Sequence, residues 1–349
     1  MSPKIAIGFD HGNGYVKGKS DLVKRYIIPS AIAYRSNVSS SIGESLKEAG
    51  RKLSEGTSNL DTDTTYVWGE DVYTVKGYIA TNGHQDRIKS IPYKVLSEVA
   101  LGELAGDQEL IEAVIVTGVP SQQTATDGKD LKAFMEKPHV ASVGDKNVVI
   151  KPLHVVVLPQ PVGTIMYLYL DEEGYVRDAS YQTDKVLVID LGRGTSDVDV
   201  IEGLRRQNEF FSLETGMYDV YDLIVRDINS KNPNAKATVA GVEKYFEEAV
   251  YKVSNRVKID FAEAKKRAIN EVGTTLSVDI TGKLKTWDRF DKIVLTGGGA
   301  QVFAEYFKKF IPDIEIIDDS QFANAEGFYR YAKYIVGVKY DTESVPAKV

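Results

Sequence analysis

Two short segments place a carboxylate and two glycines in the same order after an apolar run. The first is Ile5-Ala6-Ile7-Gly8-Phe9-Asp10-His11-Gly12-Asn13-Gly14; the second is Val186-Leu187-Val188-Ile189-Asp190-Leu191-Gly192-Arg193-Gly194-Thr195. Glycines at a turn let backbone N–H groups approach phosphate oxygens with no Cβ in the way. An Asp beside such an anion hole makes electrostatic sense only with a cation between them. Mg2+ fits, because it keeps most of its waters and is held by one or two carboxylates plus phosphate oxygens. Two facing hairpins of this kind would clamp one polyphosphate with its metal, the carboxylates of Asp10 and Asp190 standing beside it. Lys17, on the returning strand, adds positive charge near the phosphates. Turn chemistry alone accounts for one such motif. Two copies, each opening a half of the chain, favour the anion site.

A third glycine element follows. Ile293-Val294-Leu295-Thr296-Gly297-Gly298-Gly299-Ala300 reads as strand, glycine run and helix, a place where a nucleoside could lie flat against backbone. Other nucleotide motifs fit less well. Asn13-Gly14-Tyr15-Val16-Lys17-Gly18-Lys19-Ser20 approaches a P-loop, but Asn13 replaces the first Gly and no helical run follows. Neither Gly12-x-Gly14 nor Gly297-x-Gly299 completes the dinucleotide fingerprint, since Lys17 and Val302 stand at the third glycine's place. The histidines His11, His84, His139 and His154 show no metal-ligand spacing, and His11 reads as a turn residue.

The elements that must position these residues alternate between strand and helix, which favours α/β architecture. Lys4–Phe9 and Tyr15–Lys19 read as one hairpin, Lys185–Asp190 and Ser196–Ile201 as another. Residues from about 34 to 92 are polar and suggest a small inserted subdomain, with strands at Thr65–Trp68 and Val72–Lys76 and an Asn82-Gly83 turn. Helices are expected over Tyr93–Ala105, Asp130–Lys137, Pro161–Leu170, Gly216–Asp227, Val239–Val250, Asn255–Glu271, Val302–Phe310 and Asn324–Val336. Strands are expected at Ala113–Thr117, Val148–Leu158, Lys292–Leu295 and Ile314–Ile317. The implied division is 1–170 and 171–349, the second half carrying a helical subdomain near 217–285 and a last helix, 324–336, returning to the hinge.

At 349 residues, the chain is long enough for two cores. It has no cysteine, which excludes disulfides, thiolate catalysis and Cys-ligated zinc. The net charge of −7 argues against a large phosphate-neutralising surface for direct DNA binding. Lys265-Lys266-Arg267, with Asp260 and Glu263 nearby, reads as a solvated helix face. No apolar run approaches the roughly 18–20 residues that cross a bilayer. Met1-Ser2-Pro3-Lys4-Ile5 lacks a signal peptide's apolar region. Asn37-Val38-Ser39 is formally a glycosylation sequon, but a reducing cytoplasm is the expectation.

The three glycine segments, in this order and spacing, resemble the phosphate-1, phosphate-2 and adenosine motifs of the actin, Hsp70 and sugar-kinase superfamily. Val156-Val157-Leu158-Pro159-Gln160-Pro161-Val162-Gly163-Thr164 resembles its first interdomain connection. Asp319-Ser320-Gln321-Phe322-Ala323-Asn324-Ala325-Glu326-Gly327-Phe328 resembles the segment entering its last crossing helix. Plasmid-segregation actin-like proteins of the ParM type are the nearest match; archaeal actin-like proteins share the Gln-Phe-Ala-Asn-Ala segment. The resemblance implies duplicated actin-like (ribonuclease H-like) domains around a nucleotide cleft, each with a smaller inserted subdomain. It also implies ATP or ADP with Mg2+ as ligands, Asp10 and Asp190 holding the ion through water. Gly12, Asn13, Gly14 and Lys17 would meet the phosphates from one side, and Gly192, Gly194 and Thr195 from the other. Gly297, Gly298 and Gly299 would floor the adenosine, with Glu214 and Gly216 near the ribose or base. Arg193 departs from the small residue of many relatives and puts the second loop's mimicry in question. Gln160 is the candidate for placing the attacking water, or else a cap for the helix at Pro161, and Asp190 also polarises that water.

For the ParM type, the resemblance implies self-assembly into filaments switched by ATP hydrolysis, and an adaptor linking them to centromere-like plasmid DNA. A small-molecule kinase on the same fold would need a catalytic Asp in a substrate cleft, whereas Asp197 and Asp199 alternate along a strand and read as structural. An Hsp70-like chaperone would need a peptide-binding domain beyond the last helix, and a membrane filament an amphipathic anchor. Ser344–Val349 reads as a polar tail.

Overall fold

The computed structural model describes residues 3–38, 52–82 and 86–340; Ser39 of the sequon, Gly83, His84 and the Ser344–Val349 tail lie outside them. The chain divides into two compact units, one of residues 1–179 with 322–349, the other of residues 180–321.

In the first unit the strands are β1 Lys4–His11, β2 Tyr15–Ser20, β3 Tyr26–Pro29, β4 Ala31–Tyr34, β5 Ser54–Ser58, β6 Asp61–Trp68 and β7 Ile79–Ala80. Helix α1 (Ile91–Leu104), β8 (Leu110–Val119), α2 (Asp127–Met135), β9 (His139–Val143), β10 (Lys146–Pro159) and α3 (Gln160–Tyr169) follow. They form one sheet in the order β3-β2-β1-β8-β10-β9-β5-β6-β4-β7. Strand β1 runs antiparallel to β2 and parallel to β8, and β8 parallel to β10. Every residue of β1 after Lys4 is buried, as a strand covered on both faces requires. Ser90 caps α1 by accepting from the Tyr93 amide, and Pro92 sits in its first turn, where a missing N–H costs nothing.

The second unit repeats the scheme with β11 (Lys185–Leu191), β12 (Ser196–Glu202) and β13 (Arg205–Leu213). Helices α4 (Met217–Lys231) and α5 (Val239–Lys244), strands β14 (Val250–Lys252) and β15 (Lys258–Asp260), and α6 (Ala262–Leu284) come next. Strand β16 (Lys292–Thr296), α7 (Ala300–Lys308) and β17 (Glu315–Ile316) complete it. The sheet order is β13-β12-β11-β16-β17, with β11 antiparallel to β12, parallel to β16, and β16 parallel to β17. The hairpin-then-parallel order of the first unit is therefore present twice.

The last helix, α8 (Ala323–Lys339), packs within the first unit, not the second half to which the sequence division assigned it. Its Phe328, Tyr329, Ala332 and Ile335 cover Ala6, Val114 and Val116 on the face of β1 and β8. Contact with α3 is backbone to backbone: a Cβ on Gly327 would stand 1.7 Å from the Gly163 carbonyl oxygen. Arg330 then donates to the carbonyls of Tyr167 and Leu170 at 2.8 and 2.7 Å, satisfying the C-terminal end of α3.

Several local expectations are corrected. Val72–Thr74 is a 3-10 turn rather than a strand. The polar 34–92 segment continues the sheet, β5 pairing with β9 through Ser58 and Ala141. The helix expected over Val239–Val250 stops at Lys244 and β14 begins at Val250, while the one expected over Asn255–Glu271 runs from Ala262 to Leu284. Among the described residues no helix is long and apolar enough to cross a membrane.

Candidate nucleotide site

Each unit carries one glycine hairpin. In the first, Asp10 is 1% exposed at the end of β1 and pairs in register with Lys17 of β2. Lys17 Nζ lies 2.7 Å from Asp10 Oδ2, and Gln160 Nε2 donates to Oδ1 at 2.6 Å. The side chain of Gln160, the first residue of α3, thus reaches the carboxylate and does not cap its own helix. Its Nε2 is used on Asp10, and Oε1 accepts from no protein donor among the described residues.

The tip of this hairpin is held from outside. The Gly12 amide donates to the Tyr15 carbonyl at 3.0 Å, and Ser30 donates to the Gly12 carbonyl through Oγ (2.8 Å) and to the Gly14 carbonyl through its amide (2.9 Å). Asn82 Nδ2 donates to the Asn13 carbonyl at 2.6 Å, and Arg87 Nη1 to Asn13 Oδ1 at 2.6 Å. The amides of Asn13 and Gly14 donate to no acceptor among the described residues. His11 is buried as the last residue of β1, not a turn residue. Its Nε2 is 2.9 Å from Thr81 Oγ1, whose own proton goes to the Ser30 carbonyl, so Nε2 donates. Nδ1 then accepts from Ser97 Oγ at 2.8 Å. Burial, followed by the Arg87 charge, holds the imidazole well below its ordinary pKa, and the ring is neutral.

In the second unit Asp190 is 7% exposed at the end of β11. The Gly192 amide donates to the Thr195 carbonyl at 2.9 Å, repeating the Gly12–Tyr15 bond of the first hairpin. The Gly194 amide has no acceptor among the described residues. Arg193 forms a forked ion pair with Glu243 of α5, at 3.1 and 3.0 Å from Oε2, and lies over the Tyr218 ring. Its side chain therefore anchors the hairpin to the helical segment. Amides of Met217 and Tyr218 donate to the Gly192 and Arg193 carbonyls, which brings Gly216 against the hairpin. Glu214 is exposed just before that point. Asp197 accepts from Thr195 and Ser212, and Asp199 pairs with Arg206, so both carboxylates serve the sheet.

The glycine run after β16 meets this hairpin directly. Gly297 has φ +89°, and a Cβ there would stand 2.3 Å from Asp190 Oδ1 and 2.6 Å from the Leu191 carbonyl oxygen. Gly299 donates its amide to that same carbonyl at 2.8 Å. Only Gly298 is exposed, with space for a side chain. Packing of the chain itself requires the glycine at 297 and brings Gly299 close to Leu191 and Phe303, while Gly298 alone of the three is exposed.

Sequence reasoning missed Arg87, Asn82, Thr81 and Glu243. The first three lie in the polar segment before α1 and carry no periodic signal; the uninterrupted apolar β1 could have marked His11 as buried. Lys265 and Arg267 are committed to the Phe246 carbonyl and Asp227, in keeping with a structural helix face.

Residues 8–163 match the family of actin-like proteins, N-terminal domain, and residues 188–309 match the archaeal actin homologue MreB-like C-terminal family. No curated protein sequence matches the chain. Among solved structures, the apo psk41 ParM protein superposes with a TM-score of 0.74 at 24% identity, covering 97% of this chain and 99% of that one. A 15-stranded ParM filament from Clostridium botulinum gives 0.76 at 21% identity, covering 95% and 99%. The archaeal actin homologue Ta0583 in complex with ADP gives 0.72 at 21% identity, covering 94% and 99%. Family models matched in both halves and a fold shared across nearly the whole length give one conclusion: the chain has the two-part fold of the actin-like proteins, each part matching one of their domain families.

Proposed function

We propose that the protein binds Mg-ATP through its two hairpins, hydrolyses it, and assembles into filaments whose stability depends on the bound nucleotide. The observation that carries this reading is the doubled strand-end carboxylate, Asp10 and Asp190, each beside amides that have no acceptor among the described residues. Such a donor set fits a polyphosphate with a hard cation: carboxylates for the hydrated metal, amides for phosphate oxygens. Asn13, Gly14 and Lys17 would take phosphate on one side, Gly192, Gly194 and Thr195 on the other; Gly298, Glu214 and Gly216 would border the adenosine. Mg-ATP supplies the phosphoryl group and the metal's charge.

Gln160 orients water through Oε1, because its Nε2 is fixed on Asp10. Its role is positioning, which suits a reaction that depends on alignment and charge stabilisation. Lys17 pairs with Asp10 and holds its carboxylate in place. The named ParM filament among the structural relatives supports self-assembly, and the ADP complex of the archaeal homologue supports adenine nucleotide. The plasmid-segregation role, through an adaptor on centromere-like DNA in the cytoplasm, belongs to the same reading and agrees with the net charge of −7.

Pelleting and light scattering with Mg-ATP, Mg-ADP and no nucleotide test the proposal. Assembly with ATP and later decay is expected. Phosphate transfer to a small molecule without assembly would replace it with a kinase. Asp190→Ala should abolish hydrolysis. Gln160→Ala should still pellet with ATP but release phosphate roughly 100-fold more slowly, the scale of a misplaced nucleophile; wild-type turnover would remove Gln160 from the mechanism.

A further inference from the structure

Arg87 is 6% exposed, yet no carboxylate lies within ion-pair distance of it among the described residues. Its guanidinium donates through Nη1 to Asn13 Oδ1 at 2.6 Å and through Nη2 to the His11 carbonyl at 3.3 Å, both neutral acceptors. The Tyr93 ring lies 5.6 Å from the guanidinium carbon. The acid of the hairpin, Asp10, is already matched by Lys17. Among the described residues the guanidinium therefore has no carboxylate paired with it; the Asp127 charge acts on the same Tyr93 hydroxyl but forms no ion pair with Arg87. A charge taken from water without a counter-ion is expensive, so folds retain one where a ligand supplies the opposite sign. The acceptor-free amides of Asn13 and Gly14 are part of the same tip, and Asn13 is the residue that Arg87 grips.

We infer that Arg87 supplies the charge of the anion site at the first hairpin tip and, through Asn13, ties phosphate occupancy there to the segment preceding α1. The inference rests on the nucleotide reading above and adds to it a residue outside the three glycine motifs. The ligand chemistry it demands is a phosphate oxygen rather than the nucleoside. Neutral His11 fits beside it: hydrogen-bonded on both ring nitrogens, the ring adds no second cation under the guanidinium. A purely structural tie would need only hydrogen-bond donors, which a neutral side chain can supply.

Calorimetric titration of the full chain with Mg-ATP and with Mg-pyrophosphate separates the possibilities. Arg87→Met is expected to weaken both ligands by at least tenfold, while the melting temperature of the ligand-free protein stays level or rises. Arg87→Gln, which keeps donors without charge, should show the same loss. Wild-type affinity in either folded variant overturns the inference and leaves the nucleotide reading intact. Should neither variant fold, hydrogen exchange of the wild type decides. Mg-pyrophosphate should slow exchange in residues 79–82 and 86–90, and an unchanged pattern with the ligand bound overturns the inference. A wild type that binds neither ligand sinks the nucleotide reading itself.

Discussion

A neutral histidine locked between two hydroxyls makes the stability of the first hairpin depend on pH. In the folded chain His11 resists protonation because of burial and the Arg87 charge, whereas in the unfolded chain it titrates near its ordinary value of 6.5. Above that value both states are neutral and the residue contributes no pH dependence. As pH falls through it, the unfolded chain takes up the proton first, so stability declines, by up to about 1.4 kcal/mol per pH unit for a single group. Melting curves between pH 7.5 and 5, to be run on wild type and His11→Gln, should show a shallower acid loss in the variant. Equal slopes would assign the acid sensitivity to other groups. None of this was legible from the sequence, because the partners Thr81 and Ser97 are 70 and 86 residues away. The carboxylates were legible for the opposite reason: Asp10 and Asp190 each end an apolar strand beside glycines, a signal contained within ten residues.

Gly297 is required by packing whatever ligand the glycine run meets. Strand, glycine run and helix all stand where the pattern put them, as β16, residues 297–299 and α7. The close neighbour of Gly297, however, is Asp190 of the adjacent hairpin. Gly297→Ala combines a left-handed backbone with a contact to backbone oxygen, and should destabilise the second unit by about 1–3 kcal/mol. Gly298→Ala, with open space around it, should leave stability within about 0.5 kcal/mol. Denaturant titration of the pair checks both. Polar and charged strands were the elements the sequence concealed. In β13, Arg205, Arg206 and Glu209 occupy an outer strand whose charges discourage pairing with another chain, and the same charges erase the apolar alternation. The short β9 and the Ser-, Glu- and Thr-containing β5 lose their signal similarly, and of β6 only Thr65–Trp68 was read. At Val72 the alternation was real but led elsewhere, into a turn closed by Thr74 on the Asp71 carbonyl.

Duplication governs the whole molecule, and its two copies differ in how they are threaded. The second unit is one unbroken stretch, residues 180–321, whereas the first requires both ends of the chain. Deleting residues 322–349 should therefore melt the first unit and spare the second, seen in limited proteolysis as a surviving fragment from the 180–321 region. Loss of both, or of neither, would contradict the division. Phe328→Ala, at a fully buried position against β1 and β8, should cost about 3–5 kcal/mol in the first unit. The threading also sets an order of events during synthesis, which proceeds from the N-terminus at about 5–20 residues per second. A nascent chain leaving the ribosome would display Ala6, Val114 and Val116 uncovered until its final helix emerges. By then the 180–321 stretch has already had time to fold, so that sticky surface, rather than the hairpin chemistry, is where a chaperone would be needed.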